Sequence, residues 1–303
     1  MKPLVLYHAN CWDGFCAAWI AKHALGEIEA IPVQYGQDPP IDFCGRDVYI
    51  LDFSYKRQVM RTILSQSRFV CVLDHHKTAQ AELAGLVDEF IQRPDLINNA
   101  PGSELPVIYF DMDKSGGRLA WHYFYGITDP CWPRLLNAFP KCDQQRPPWL
   151  VIYTEDRDLW RWKVVYSRAV NAWLRSYPLD FDLWDSFAKL SPLAWDGRQC
   201  PVSEGDAILR REQQIIDEHV KHAREIEMDG HSVLAVNATV LFSDIAGELA
   251  KGRPFGACYF DRQDGKRQWS LRSRDDGIDV SAIAKVHGGG GHRNASGFEE
   301  TIT

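Results

Sequence analysis

Apolar runs alternate with segments of helical periodicity over the first 75 residues. The runs "PLVLYH", "EAIPVQY", "DVYILDFS" and "RFVCVLDHH" have the length and composition of buried strands. Between them, "DGFCAAWIAKHAL" and "YKRQVMRTILSQS" repeat apolar residues at helical spacing, and Gly26 provides a stop for the first helix. This alternation predicts an α/β fold, a parallel sheet with helices on both faces.

Polar side chains stand where three of these strands end. His8 ends the first strand, Asp52 the third, and Asp74, His75 and His76 the fourth, while Asp13 opens the helix after the first strand. A single strand-end aspartate is often only a cap for the next helix. Because the carboxyl ends of parallel strands meet at one edge, the whole set predicts a ligand site there.

The rest of the chain predicts a helical middle, a connector and a smaller second domain. Residues 80–195 look mainly helical, and we assign their tryptophans to core packing rather than to base stacking. Residues 201–229 are strongly charged with an apolar stripe, which predicts one long connector helix that Asp229-Gly230 ends. We therefore predict a first domain over 1–200, the connector over 201–229, and a smaller α/β domain over 230–303.

Composition limits the class of protein. The chain has 303 residues, 45% of them hydrophobic, which suits two domains with buried cores. Its eight cysteines form no CxxC pair, which favours reduced, buried thiols over disulfides or a structural zinc site. The sequence lacks a membrane-length apolar run and an apolar signal region. We therefore expect a cytoplasmic protein without a membrane partner.

Charge is uneven along the chain. The net charge of −7 argues against broad, nonspecific duplex binding. Residues 250–294 nevertheless contain nine Lys/Arg and five Asp/Glu, a local net charge of +4. Ordinary charge fluctuation would explain this, but so would an acidic metal-holding part followed by an anion-holding part.

The C-terminal stretch "GGGGHRNASGF" has the composition of an anion site. Consecutive glycines let backbone N–H groups approach an anion closely, and neighbouring cations add hydrogen-bond donors. A plain flexible loop is the alternative interpretation. The candidate phosphate-binding residues are Arg272, Gly288, Gly289, Gly290, Gly291, His292 and Arg293.

The type of side chain at the strand ends indicates which metal would bind. Aspartates and histidines with few thiols favour manganese or magnesium over zinc. Two such ions, roughly 3.5–4 Å apart, can clamp the attacking and leaving oxygens of a phosphoryl displacement. A pair of ions needs a bridging carboxylate, and Asp52 in the middle of the sheet suits that position. Mn²⁺ is the expected cofactor, as two ions, with Mg²⁺ as the alternative.

The ordered motifs make the chain similar to the DHH phosphoesterase superfamily. "YHANCWDGFCAAW", "LDFS", "DHH" and "YTEDRDLW" resemble its first four motifs, and "GGGGHRNASGF" resembles the hallmark of its C-terminal associated domain. The resemblance implies that residues 1–200 are a metal-binding catalytic domain and residues 230–303 a substrate-binding domain. It implies Asp52, His75 and His76 as catalytic residues. It also implies that the metal ligands are His8, Asp13, Asp52, Asp74, His75 and Asp156.

Two details depart from the family pattern or stay open. The first motif lacks its usual second aspartate, so that Asn10 is a candidate neutral ligand. In the fourth motif we favour Asp156 over Asp158 because of its place in the motif, although the spacing does not decide between them.

The resemblance implies a two-metal phosphoesterase that acts on short single-stranded oligonucleotides or small nucleotides. Exopolyphosphatase and cyclic-dinucleotide phosphodiesterase activities are alternatives of the same class. A nucleotide-binding regulatory module that lost catalysis is the alternative of a different class. Expected partners are a short single-stranded nucleic acid or nucleotide, with homodimerisation left open.

Overall fold

The chain forms two compact units, Met1–Asp206 and Ala207–Thr303. The computed structural model describes residues 1–39, 42–92, 105–126, 146–193 and 200–302. Of the cysteines considered above, Cys131 and Cys142 lie outside these ranges. Among the described residues, no helix is both long enough and apolar enough to cross a membrane.

A five-stranded parallel sheet organises the N-terminal unit. Its spatial order is β2-β1-β3-β4-β5, with every neighbouring pair parallel. Pro32 lies in an edge strand, where a missing backbone donor is tolerated. The strands are β1 (Leu4–His8), β2 (Glu29–Val33), β3 (Asp47–Leu51), β4 (Phe69–Asp74) and β5 (Val107–Phe110). This confirms the predicted parallel sheet, and β5 is an additional strand in the segment predicted to be mainly helical.

Helices cover both faces of this sheet, as predicted. Val5 and Tyr7 of β1 pack into one apolar cluster with the first and fifth helices, while Leu4 and Leu6 pack into another cluster with the second. Such alternation is the period of two expected for a strand buried on both faces. The helices are α1 (Trp12–Leu25), α2 (Arg57–Gln66), α3 (Lys77–Leu83), α4 (Leu86–Gln92), α5 (Gly116–Tyr125), α6 (Trp149–Asp158), α7 (Ser167–Arg175) and α8 (Phe181–Ala188).

The C-terminal unit is built around a mixed six-stranded sheet, preceded by the helix α9 (Pro201–Val220). The strand order is β10-β11-β9-β8-β7-β6, and the β7–β8 pair is parallel while the other pairs are antiparallel. The elements after α9 are β6 (Arg224–Met228), β7 (His231–Asn237), α10 (Phe242–Leu249), β8 (Gly256–Asp261), β9 (Lys266–Arg272), α11 (Val280–Val286), β10 (Gly290–His292) and β11 (Ala295–Thr301). The second α/β domain expected from the sequence is therefore present.

The predicted connector helix over 201–229 is wrong at its C-terminal end. The helix ends at Val220, and β6 follows as a strand paired antiparallel with β7. Asp229 and Gly230 both have positive φ, 48° and 79°, which is the conformation of a two-residue hairpin turn rather than a helix stop. Residues 225–228 alternate polar and apolar side chains, which is the period of a strand, but the longer helical pattern before them concealed it.

Candidate metal centre

The carboxyl ends of β1, β3 and β4 bring polar side chains together at one sheet edge. Asp52, directly after β3, lies between histidines from the two neighbouring strands. Its Oδ1 is 3.0 Å from His75 Nε2, and its Oδ2 is 3.5 Å from His8 Nδ1. Asp13, in the first turn of α1, places Oδ2 3.7 Å from the same His75 nitrogen. The structure therefore brings these four predicted residues together.

Within the described part of the N-terminal unit, the clustered side chains form two groups of three potential ligands. Within each group, the ligand atoms all lie within 4.8 Å of one another. Asp52 belongs to one group and contacts the other through His75, so it is placed to bridge two cations. The first group is His8, Asp52 and His76, and the second is Asp13, His75 and Asp158.

The backbone of Asp52 is held in an uncommon conformation. Its φ of 55° lies in the left-handed region, although its side chain is almost completely buried. Its N–H donates to the carbonyl of Leu73 at 2.9 Å, which fixes the turn at the end of β3 against β4. Such strain, about 1–3 kcal/mol for a non-glycine residue, persists where the surrounding structure enforces it and often marks functional sites.

The polar atoms of this cluster suit a divalent cation. Asp158 Oδ2 is buried and makes no hydrogen bond within the described part of the chain, although it lies 3.5 Å from His75 Nε2. Three carboxylates, those of Asp13, Asp52 and Asp158, surround this one imidazole. Buried carboxylates repel one another unless a cation neutralises them, and oxygen with imidazole ligands fits manganese or magnesium.

The crowding of charges shifts the pKa values of the cluster in opposite directions. Burial raises the pKa of Asp13 well above its usual range, and the charges of Asp158 and Asp52 raise it further. Burial also opposes ionisation of Asp52, but hydrogen bonds to His75 and His8 hold its pKa well below the usual range. For His75, burial favours the neutral ring, yet the hydrogen bond to Asp52 and the three nearby carboxylates raise its pKa to about 10.

Metal binding should therefore strengthen as pH rises. A cation binds neutral imidazole, so it must displace the proton that His75 holds below a pKa of about 10. We expect the affinity for Mn²⁺ to rise by roughly tenfold per pH unit for this proton alone between about pH 6 and 9. Titration calorimetry in buffers of different ionisation enthalpy measures both the affinity and the protons released. An affinity independent of pH, with no proton release, would contradict the assignment of His75 as a ligand.

The carboxylate of Asp74, a predicted metal ligand, makes hydrogen bonds within the protein. Its Oδ2 accepts from the Ser54 hydroxyl at 2.6 Å, and its Oδ1 accepts from the backbone N–H groups of His75 (2.7 Å) and His76 (3.2 Å). Its Oδ1 also lies 2.6 Å from His76 Nδ1. Among the described residues, Asp74 belongs to neither ligand group. A carboxylate on the far nitrogen of a metal-binding histidine is a common orienting device, and Asp74 is placed to orient His76 in this way.

The structure turns Asp158, and not the favoured Asp156, toward His75. The Asp156 carboxylate accepts from the backbone N–H groups of Lys163 (2.9 Å) and Val164 (3.2 Å), and its carbonyl accepts from Arg161 at 2.8 Å. Residues two apart on a helix point in different directions, so α6 turns only one of the two aspartates toward His75. Asp158 is that residue, and Asp156 holds the turn that follows α6.

The glycines at the start of α5 support the centre, which the sequence analysis missed. Ser115 is the N-cap of α5, and its hydroxyl accepts from the Arg118 N–H at 3.3 Å. The next two residues donate their N–H groups to the Asp13 carboxylate, Gly117 at 3.0 Å and Gly116 at 2.5 Å. A side chain at Gly116 would place its Cβ 2.5 Å from that of Asp52. Paired glycines after an N-cap were the available signal for this close approach to an anion.

An ion pair joins the helices on either side of the centre. Arg118 of α5 donates from Nε (2.9 Å) and Nη2 (2.7 Å) to Glu155 Oε2 of α6. The carboxylate is buried, and forked bonds of this kind restrict orientation as well as distance. The pair therefore links α5, whose N-terminus donates hydrogen bonds to the Asp13 carboxylate, to α6, which contains Asp158.

Two residues of the first motif also lie at this edge. Asn10, the candidate neutral ligand, is exposed and has a φ of 56°, a backbone conformation that asparagine tolerates in turns. Cys11 donates its thiol hydrogen to Asp52 Oδ2 at 3.3 Å. The sequence analysis assigned no role to Cys11, and its contact with Asp52 is a finding of the structure.

The glycine-rich stretch belongs to a hairpin of the C-terminal unit. Gly290 to His292 form β10, which pairs with β11. A Cβ at Gly289 would lie 2.1 Å from the carbonyl oxygen of Gly297, and one at Gly291 would lie 2.5 Å from that of Ala295. Close packing therefore explains why these two positions are glycine, whether or not an anion binds there.

The two predicted arginines of this unit contact its own polar groups. Arg272, at the end of β9, donates from Nη2 to the Ser243 hydroxyl at 2.6 Å. Arg293 follows β10 and donates from Nη2 to the carbonyl of Gly277 at 2.9 Å. Phosphate binding by the predicted C-terminal set, the glycines and His292 included, stays a prediction.

A curated viral protein is similar to the chain in sequence. No protein-family model matches the chain. It is 30% identical over 319 residues to the uncharacterized protein R106 of Acanthamoeba polyphaga mimivirus, covering 97% of this chain and 66% of that protein. The chain thus spans 66% of the length of this curated relative.

Solved structures give a second comparison. The DHH domain of a member of a family of ribosomal proteins is similar to the chain with a TM-score of 0.55 and 12% identity, covering 99% of this chain and 83% of that one. RecJ from Thermus thermophilus, solved in complex with Mn²⁺, is similar with a TM-score of 0.47 and 14% identity, covering 100% of this chain and 50% of that one.

Proposed function

The chain has the fold of the DHH phosphoesterase superfamily, and we propose that it is a divalent-metal-dependent phosphoesterase. The observation that carries the proposal is the position of Asp52, between two groups of three ligands, with a buried carboxylate oxygen on Asp158 that makes no hydrogen bond within the described chain. A pair of cations would satisfy both features at once.

The residues of the chain have distinct tasks in this proposal. When bound, two cations would lower the pKa of an attacking water and neutralise the charge that develops on the phosphate. Asp52 shares its two oxygens between the two ligand groups. Asp74 orients His76 through its ring nitrogen, and the N-terminus of α5 holds the Asp13 carboxylate. The ligands are thus positioned before substrate arrives, which is the main requirement of electrostatic catalysis.

For the substrate, we propose short single-stranded oligonucleotides or small nucleotides. The acidic chain, at −7, suits short substrates better than long strands, which need an extended basic track. The N-terminal unit would be catalytic. The C-terminal unit would bind substrate phosphate through Arg272, Arg293, His292 and the glycine stretch. Mn²⁺ is the proposed ion, with Mg²⁺ as the alternative.

An activity panel with Mn²⁺-loaded protein tests this proposal. It should contain RNA and DNA of two to five nucleotides, a longer single strand, 3′-phosphoadenosine 5′-phosphate, cyclic dinucleotides and polyphosphate. We expect release of mononucleotides from the shortest oligonucleotides. Selective hydrolysis of polyphosphate or of a cyclic dinucleotide would support one of the alternative substrates. Bound metal and bound nucleotide without turnover of any phosphoester would instead support the regulatory module and reject the enzyme.

A further inference from the structure

An exposed tyrosine borders the candidate metal centre and has no role in the chemistry described so far. Tyr35 follows β2 and leaves 49% of its surface exposed. Its ring centroid lies 5.2 Å from that of His8 and 5.7 Å from that of His76, edge to face in both cases. These are the two histidines of the group that contains Asp52, so any substrate phosphate at that group would lie beside the Tyr35 ring.

The ring is held by the core from one side. Phe53, which is buried and directly follows Asp52, has its centroid 4.7 Å from that of Tyr35. Phe53 in turn packs against the ring of Tyr55 at 4.8 Å. Tyr35 is therefore an ordered aromatic surface rather than a free side chain, and its exposed half is available to a ligand.

The chemistry of the two neighbouring features indicates what this surface contacts. The acidic centre would bind a phosphate through cations, whereas an aromatic face favours a planar, partly apolar group. A nucleobase attached to the bound phosphate presents such a group, and base-aromatic stacking is independent of base identity. Linear polyphosphate presents only charged oxygens, which gain nothing from the ring.

We propose that Tyr35 stacks on a nucleobase next to the phosphate at the metal centre, and thereby selects nucleotide-containing substrates over base-free ones. This inference rests on the proposed phosphoesterase function. It identifies a specificity-determining residue within that function. The sequence analysis considered base stacking only for the tryptophans of residues 80–195, and it treated Tyr35 only as the end of a strand.

The test compares a ribodinucleotide with its abasic analogue, which has the same sugar-phosphate linkage without bases. For the Mn²⁺-loaded wild type, we expect a preference for the dinucleotide in kcat/KM, carried mainly by KM. Tyr35→Ala should reduce that preference by about 5- to 150-fold, the range for one stacked base. Tyr35→Phe keeps the ring and should keep most of the preference. Tyr35→Leu should behave like Tyr35→Ala and guards against misfolding of either variant.

A matched control and a binding measurement complete the design. Tyr166→Ala removes a tyrosine that is 59% exposed and, among the described residues, belongs to neither ligand group, so it should leave the preference unchanged. Titration calorimetry should show that wild-type protein binds adenosine 5′-monophosphate more tightly than ribose 5-phosphate. Tyr35→Ala should remove most of that difference.

The possible results distinguish a failure of this inference from a failure of the proposed phosphoesterase function. An equal loss on the dinucleotide and the abasic analogue in Tyr35→Ala would show a structural role at the metal centre and overturn the inference. So would no loss on either substrate, or a wild type that cleaves the abasic linkage equally well. A wild type with bound Mn²⁺ that cleaves no phosphoester would overturn the proposed function and, with it, this inference.

Discussion

Asp52→Asn is expected to abolish phosphoester hydrolysis while the fold stays intact. The substitution keeps the shape of the side chain and tolerates the φ of 55° at this position, whereas alanine would add backbone strain. It removes the charge that faces both His75 and His8. Losing the shared ligand of two cations should cost several kcal/mol of transition-state stabilisation, a decrease in kcat/KM of at least about a thousandfold.

Four measurements test this prediction. Steady-state kinetics give the loss of activity, and metal analysis after dialysis against Mn²⁺ should show fewer than two tightly bound ions. Circular dichroism without metal should match the wild type, whereas thermal unfolding should occur at a lower temperature, because Asp52 loses its charge-assisted contacts with His75 and His8. Wild-type-like turnover in well-folded Asp52→Asn protein would refute the assignment of Asp52 as the bridging carboxylate.

Substitutions of Asp156 and Asp158, two residues apart on α6, are expected to have different effects on activity and metal binding. Asp158→Asn should lose activity and metal at the group of Asp13, His75 and Asp158, because a buried carboxylate oxygen that faces His75 is neutralised. Without metal, this variant should be at least as stable as the wild type, since one of three mutually repelling buried carboxylates is removed. With Mn²⁺, it should gain less thermal stability than the wild type, because binding to the native state is what stabilises it.

Asp156→Asn should show the opposite pattern. Its carboxylate accepts two backbone hydrogen bonds and does not face the ligand groups. Weakening these charge-assisted bonds should lower the free energy of unfolding by about 1–3 kcal/mol, with a decrease of several degrees in Tm. The variant should still bind Mn²⁺ and gain thermal stability from it. Loss of metal in Asp156→Asn, with retention in Asp158→Asn, would restore the ligand that the sequence favoured.

These two aspartates show where sequence reasoning reached its limit. The parallel sheet could be predicted because apolar runs and helical periodicity alternate cleanly, and its topology then places the strand ends at one edge. Neither signal defines the rotation of α6, which decides whether Asp156 or Asp158 faces His75. That rotation depends on packing against α5, including the Arg118–Glu155 ion pair, and such packing is not encoded in local spacing.

Other features were present in the sequence but ambiguous there. Asp229-Gly230 is equally compatible with a helix end and a hairpin turn, and the charged run before it favoured the helix. The glycines at 116 and 117 had an ordinary helix-start explanation, and only the structure shows Asp13 accepting from both. Tyr35 could not be distinguished from a core aromatic, because its contact with His8 and His76 joins residues distant in the chain.

The central claim is that Asp52 joins two cation sites, and anomalous diffraction from crystals grown with Mn²⁺ tests it directly. We predict two manganese peaks, roughly 3.5–4 Å apart, with the Asp52 carboxylate in contact with both. One peak should also contact His8 and His76, and the other the second ligand group. A single peak, or two peaks that both leave Asp52 uncoordinated, would contradict the claim.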